Sequence, residues 1–290
     1  YIPQPPESSL SASYIDPTAM PALHLFAKDL IWDNWPVGQI QVQAFPVEGG
    51  LQFETIEASN EVFTLTGQGN WLKYDGAVES ALNLRVDAER LGALLDSLGY
   101  GAVVEGGQSI INLSGTWPGG PADFALAKLT GDLTINVTQG RFPEAGPGAG
   151  RMLGLMSVQA LPRRILLDFR DVFETGLNFD RLEGEFNIAD GFANTAGLEI
   201  DSTAAKIVVS GRTDLVKREY DQTVSIRPGV GSTLPVIGAI AGGPVGVTAG
   251  LALQGLLNKP LGGLAEVTYH VSGPWDDPQV EDPAEAEPME

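Results

Sequence analysis

The chain has 290 residues, with 37 acidic against 17 basic side chains and no cysteine. A formal net charge of −20 argues against a nucleic-acid ligand, which is held through Lys and Arg, and the missing cysteines exclude disulfides and thiolate-held metal. An apolar content of 43% supports a folded core in one large domain or two ordinary ones.

Residues 1–20 read as an extended, Pro-rich linker. YIPQPPESSL has neither the basic start nor the apolar stretch of a signal peptide. The chain is therefore expected to be part of a longer protein, with any targeting or anchoring segment upstream. From residue 21 to 145 the dominant texture is alternation. Ile40 and Val42 alternate with Gln39, Gln41 and Gln43; Phe53 follows Leu51 at the same spacing; Phe63 and Leu65 alternate with Thr64 and Thr66. Leu82 and Leu84 continue the pattern, then Ile111 and Leu113, then Leu133, Ile135 and Val137. A period of two puts all the apolar residues of a strand on one face. Gly and Asp punctuate the strands, as in Glu48-Gly49-Gly50, and suit hairpin turns. Residues 88–98 break the alternation. Leu91, Leu94, Leu95 and Leu98 recur at helical spacing and predict a short amphipathic helix.

The segment 146–227 opens on the Gly-rich GPGAGR and a predicted helix over 148–160, ended by Leu161-Pro162. Arg151, Arg163 and Arg164 form the one basic cluster of note, placed to meet an anionic headgroup or nearby acids such as Asp168 and Asp171. Alternation then resumes at Phe186 and Ile188, Ile207 and Val209, and Val224 and Ile226. Residues 49–86 and 190–227 share one grammar: turn, strand, polar turn, strand, Gly, short link, strand. Gly67 matches Gly211 in that alignment. The endings Leu-Ser-Gly-Thr-Trp117 and Val-Ser-Gly-Pro-Trp275 are also related. Such repeats suggest an elongated, stackable sheet.

Residues 228–275 hold an apolar helical segment and a final strand. The run 228–258 carries no charge at all. Pro235 and Pro244 divide it into two short helices, roughly 234–242 and 245–258. Its apolar members Ile237, Ile240, Val247, Leu251, Leu253, Leu256 and Leu257 are expected either to cap the end of an apolar groove or to dip into a membrane interface. The tail 276–290 has seven acids and no base, and is expected to be disordered.

The expected fold class is mainly β with a few short helices: an elongated, twisted antiparallel sheet curled into an apolar groove, with helices at its C-terminal end. Chemistry is sparse. His24 and His270 are the only histidines, and no metal-ligand spacing joins them. GPGAGR lacks the Lys-Ser/Thr ending of a phosphate loop. Acids such as Asp180, Glu183, Glu185, Asp276 and Asp277 are plentiful, but sequence sets no pair across a cleft. No catalytic residue, metal or cofactor is assigned, and the chain is not read as an enzyme.

The long block GPGAGRMLGLMSVQALPRRILLDFRDVFETGLNFD (146–180) resembles the signature segment of the YhdP-like branch of the AsmA-like proteins of Gram-negative bacteria. GRTDLVKREYDQ (211–222), VGSTLPVIGAIAGGPVGV (230–247) and YHVSGPWDDPQV (269–280) extend the resemblance, as do LGALLDSLGY (91–100) and TWPGGPADF (116–124). It covers roughly residues 20–281 and implies the C-terminal portion of a bridge-like lipid transporter of the repeating β-groove kind. The implied partners are phospholipid, the upstream part of the same chain, and the outer membrane or a protein in it. The implied place is the periplasm, with an inner-membrane anchor upstream. On this reading the alternating apolar residues from Ile40 to Ile226 line the groove, and no ATP site or acid–base pair is needed. The competing expectation is a structural β-scaffold of the envelope that conducts no lipid.

Overall fold

The structure, a computed structural model, describes residues 15–32, 35–101, 103–143, 176–229, 266–275 and 278–281. The helix expected at 148–160 lies outside these residues, together with Arg151, Arg163 and Arg164. So do the two helices expected in the uncharged run, with Ile237, Ile240, Val247, Leu251, Leu253, Leu256 and Leu257.

The described residues form thirteen strands in one sheet. They are β1 (Leu23–Trp32), β2 (Trp35–Val47), β3 (Gly50–Ser59), β4 (Thr64–Tyr74), β5 (Ala77–Ala88), β6 (Glu105–Pro118) and β7 (Thr130–Phe142). They continue as β8 (Leu177–Ala189), β9 (Phe192–Asp201), β10 (Ala205–Asp214), β11 (Glu219–Pro228), β12 (Val267–Pro274) and β13 (Gln279–Glu281). Spatial order equals sequence order, and each described pairing is antiparallel. The sheet is open and curled: its edges are β1 and β13, and they do not pair with each other. Short turns account for the order. Asp75-Gly76 and Asp190-Gly191 both place two successive residues at positive φ, 49° and 86°, then 51° and 78°. That backbone matches the right-handed twist of the flanking strands.

The two related segments found in the sequence are two copies of one three-strand unit, β3-β4-β5 and β9-β10-β11. Gly67 and Gly211 hold corresponding places in the middle strand of each. Phe142 of β7 pairs with Leu177 of β8, so the sheet continues across the segment 143–176. Two details differ from expectation. Asp16 caps a 3-10 turn at Pro17–Ala19, so the end of the expected linker is structured. The helix expected over 88–98 is α1 (Leu91–Ser97), because Ala88 continues β5 and pairs with Ser109.

Directly paired residues of an antiparallel ladder share a face, so the registers sort the whole sheet. One row runs unbroken over twelve strands: Ala27, Ile40, Ala58, Leu65, Val86, Ile111, Ile135, Gly184, Leu198, Val209, Val224, Tyr269. On the opposite face a polar row crosses β4 to β13: Gln68, Asn83, Ser114, Asp132, Asn187, Asn194, Arg212, Asp221, Ser272, Gln279. Register shifts between Phe53 and Ile56 and between Gly184 and Asn187 insert single residues without exchanging the faces.

Candidate functional site

The candidate site is the apolar face, and the registers show where the eighteen residues singled out by alternation fall. Seventeen lie in strands and all face the same way; Phe63 stands just ahead of β4 and stacks on Trp35 with ring centroids 5.5 Å apart. Nine of them are buried: Phe53, Phe63, Ile135, Val137, Phe186, Ile188, Ile207, Val224 and Ile226. The other nine are half-buried: Ile40, Val42, Leu65, Leu82, Leu84, Ile111, Leu113, Leu133 and Val209. The half-buried set clusters on β4 to β7, where the rows are Leu84–Leu113–Leu133 and Val86–Ile111. From β8 onward the face is tightly packed: Leu182, Ile200, Ile207 and Ile226 are at most 2% exposed.

Glycines on this face mark where the strands bend. A β-carbon on Gly67 would stand 2.5 Å from Leu84 Cδ2 and 2.8 Å from the Asn83 carbonyl; one on Gly115 would stand 2.6 Å from Leu129 Cδ1. Neighbouring groups therefore close in above these positions.

Alternate connections lie at opposite strand ends, so the curled sheet has two lips. The first carries the turns β1–β2, β3–β4 and β9–β10 and the three longest connections, residues 89–104, 143–176 and 229–266. The second carries the remaining turns. At the first lip α1 lies on the apolar face, with Leu91 and Leu94 buried and Leu95 and Leu98 packed on the same cluster. Trp35 Nε1 donates to Ser97 Oγ at 3.4 Å and ties the helix end to β2. At the second lip Trp117 Nε1 donates to the Gly120 carbonyl at 2.9 Å, Ser80 Oγ donates to the Gly119 carbonyl at 2.9 Å, and Phe124 packs edge-on against Trp117. Trp71 completes this corner with Leu51, Phe53 and Ala44. Trp71, Trp117 and Phe124 were missed by alternation, since they stand toward or beyond strand ends. The recurring Ser-Gly-x-Trp endings were their signal: Trp117 and Trp275 both stand at this lip.

The other face is polar and cross-braced by ion pairs between neighbouring strands. Arg181 meets Asp201 at 2.8 Å, Arg212 meets Asp221 at 3.1 Å, and Lys206 meets Glu199 at 2.5 Å. The Arg181 guanidinium holds the Asp201 carboxyl below the usual carboxylate range. His270 is on this face, 3.7 Å from Asp221, and His24 packs edge-on against Phe45. A cavity of about 480 Å³ on this side is lined by Thr66, Gln68, Asn83, Arg85, Asn112, Ser114, Asp132 and Thr134, together with Gly67, Leu84 and Leu113. Among the described residues no group of three His, Asp or Glu is placed to hold a metal, and no helix is long and apolar enough to cross a membrane.

A family model described as YhdP protein matches residues 3–280. The chain is 29% identical over 217 residues to the intermembrane phospholipid transporter YhdP of Escherichia coli strain K12. That alignment covers 74% of this chain and 17% of the relative, so the chain spans about a sixth of the relative's length. No solved structure matches.

Proposed function

This chain belongs to the YhdP protein family, and on that premise we propose that its apolar face shields the acyl chains of phospholipid in transit between two membranes. The observation that carries the reading is the unbroken apolar row from Ala27 to Tyr269, with half-buried leucines over β4 to β7. At about 4.8 Å per strand, thirteen strands give a path of roughly 60 Å along the sheet, longer than a phospholipid.

The energetics favour such a face. Exposing one methylene costs about 0.8 kcal/mol, so two chains of about sixteen carbons cost on the order of 25 kcal/mol in water. A continuous apolar surface removes most of that barrier and lets the polar headgroup stay wet. It requires no nucleophile, proton shuttle or metal. The polar face, with its ion pairs, meets the aqueous space. We place the chain in the periplasm, as one section of a longer bridge that is anchored in the inner membrane by an upstream segment. Its C-terminal end, with the uncharged run 228–258, meets the outer membrane or a protein in it. The scaffold reading is not favoured, because a scaffold gains nothing from half-buried leucines in mid-sheet.

The test is photo-crosslinking in cells from single positions of alternating orientation. Leu84 and Leu113 are expected to capture phospholipid, and Asn83 and Asn112, one residue away on the opposite face, are not. Equal capture from both faces, or capture only from the asparagines, would rule the groove out.

A further inference from the structure

The repeated three-strand unit offers an internal comparison. In its first copy Gly67 of β4 pairs with Ile56 on one side and Leu84 on the other, and Gly69 is the next residue of that strand on the same face. In its second copy Gly211 of β10 pairs with Thr195 and Gln222, and Thr213 is the next on the same face. Corresponding places on the apolar face thus hold Ile56, Leu84 and a glycine in one copy, and Thr195, Gln222 and Thr213 in the other.

The polar set is buried. Thr213 is 1% exposed, and Thr195 and Gln222 are 7% exposed. The fold does not demand polar side chains there, since the first copy builds the same ladder with aliphatic ones. A buried amide is costly unless its hydrogen bonds are met. Gln222 Nε2 donates to Thr213 Oγ1 at 2.8 Å, and Thr195 Oγ1 accepts from the Gly197 amide at 3.2 Å. The Gln222 bond is one of the roughly four that an amide can make. Among the described residues, neither the second Nε2 proton nor the Thr213 hydroxyl proton has an acceptor. The neighbours on this face are uncharged: Ala193, Leu198, Val209, Tyr220, Val224 and Val271. Arg212 and Asp221 stand on the opposite face. Gly211, in the middle, has no side chain, and both it and Val209 beside it are half-buried. Its φ of 121°, with the Asp221 carbonyl 2.5 Å from where a β-carbon would be, keeps any side chain out. The polar residues therefore border a gap in an otherwise apolar surface.

We propose that Gln222 and Thr213, beside Gly211, form a hydrogen-bonding notch that holds an ester carbonyl of a phospholipid whose acyl chains lie along the apolar face. The proposal rests on the groove reading and adds to it the part of the lipid that is recognised. Two unused donors call for an acceptor, and uncharged surroundings fit a neutral group better than a phosphate. The ester linkage is the neutral acceptor that adjoins the acyl chains, so an apolar face brings it within reach. An ether-linked lipid carries the same headgroup and chains without the carbonyl.

The experiment loads the purified chain from vesicles of diacyl phosphatidylethanolamine, or of its dialkyl ether analogue with chains of equal length, and reads retention by native mass spectrometry. Wild type is expected to retain the diacyl lipid about fivefold better, the worth of one neutral hydrogen bond. Gln222→Leu, which matches Leu84 of the first copy, and Thr213→Val are each expected to abolish that preference by lowering diacyl retention alone. Gln222→Leu is also expected to melt no lower than wild type. A large drop in its melting temperature, or an equal loss of both lipids, would mark the polar pair as structural and overturn the notch. Equal retention of the two lipids by wild type would overturn the notch and leave the groove standing, as would a preference that both variants keep. A wild type that retains neither lipid would overturn notch and groove together.

Discussion

Leu84 of β5 lies flat over Gly67 of β4, its Cδ2 standing 2.5 Å from where a β-carbon on the glycine would be. The pair is part of the row Ile56–Gly67–Leu84–Leu113–Leu133. The leucine lies down instead of standing into the groove because the glycine has no side chain, which leaves the floor one side chain deeper.

Gly67→Ala is therefore expected to destabilise the sheet by about 1–3 kcal/mol, since the new methyl also meets the Asn83 carbonyl at 2.8 Å. Gly197→Ala is the control. Its nearest neighbour is Val208 Cγ1 at 3.7 Å and its backbone is not left-handed. It is expected to be neutral or to stabilise by about 0.4–1 kcal/mol through the unfolded chain. Urea unfolding midpoints separate the two.

Ile226 and Leu113 share the apolar face but not its packing. Ile226 is 0% exposed and Leu113 half-buried. Truncation of Ile226 to Ala is expected to cost about 2–5 kcal/mol, and truncation of Leu113 distinctly less. Equal losses would mean that β4 to β7 form ordinary closed core. Thermal melts of both variants provide the measurement.

Trp117→Phe keeps the ring at the second lip but removes the hydrogen bond to the Gly120 carbonyl. The expected cost is about 1 kcal/mol. Faster amide exchange is expected locally, at Gly120 and Asp123, whose turn is closed by the Asp123 amide and by the Gly120 amide donating to the Asp123 carboxylate.

Asp16 is held at a pKa of about 2 by hydrogen bonds from Lys73 and Thr18, the Lys73 bond first. Its folded value lies below its unfolded one. The contribution is thus complete above the ordinary aspartate range near pH 4 and is lost as pH falls toward about 2. Melting temperatures between these limits should fall more for the wild type than for Asp16→Asn, and the difference should vanish below the folded pKa.

Most of the fold was legible because a period of two survives any arrangement of neighbouring strands. Leu82-Asn83-Leu84 declares its two faces without reference to β4 or β6. The order of the strands was legible through short turns such as Asp190-Gly191. Which parts of the face are tightly packed was not legible: Leu133 and Ile207 look alike in sequence, and only the curl leaves one half-buried and the other at 1% exposure. The start of α1 was misplaced because Ala88 suits helix and strand alike, and pairing with Ser109 decided it.

The strict neighbour-to-neighbour order of the strands has a kinetic consequence. Apart from β8 and β12, which follow the long connections 143–176 and 229–266, each strand finds its partner in the stretch of chain made shortly before it, so most loop-closure costs stay small. The sheet can zip up from one edge as the chain emerges. For the same reason a hairpin added or removed changes the reach of the sheet without disturbing pairings elsewhere. Length becomes a quantity that selection can adjust in steps of two strands, as the gap to be crossed requires.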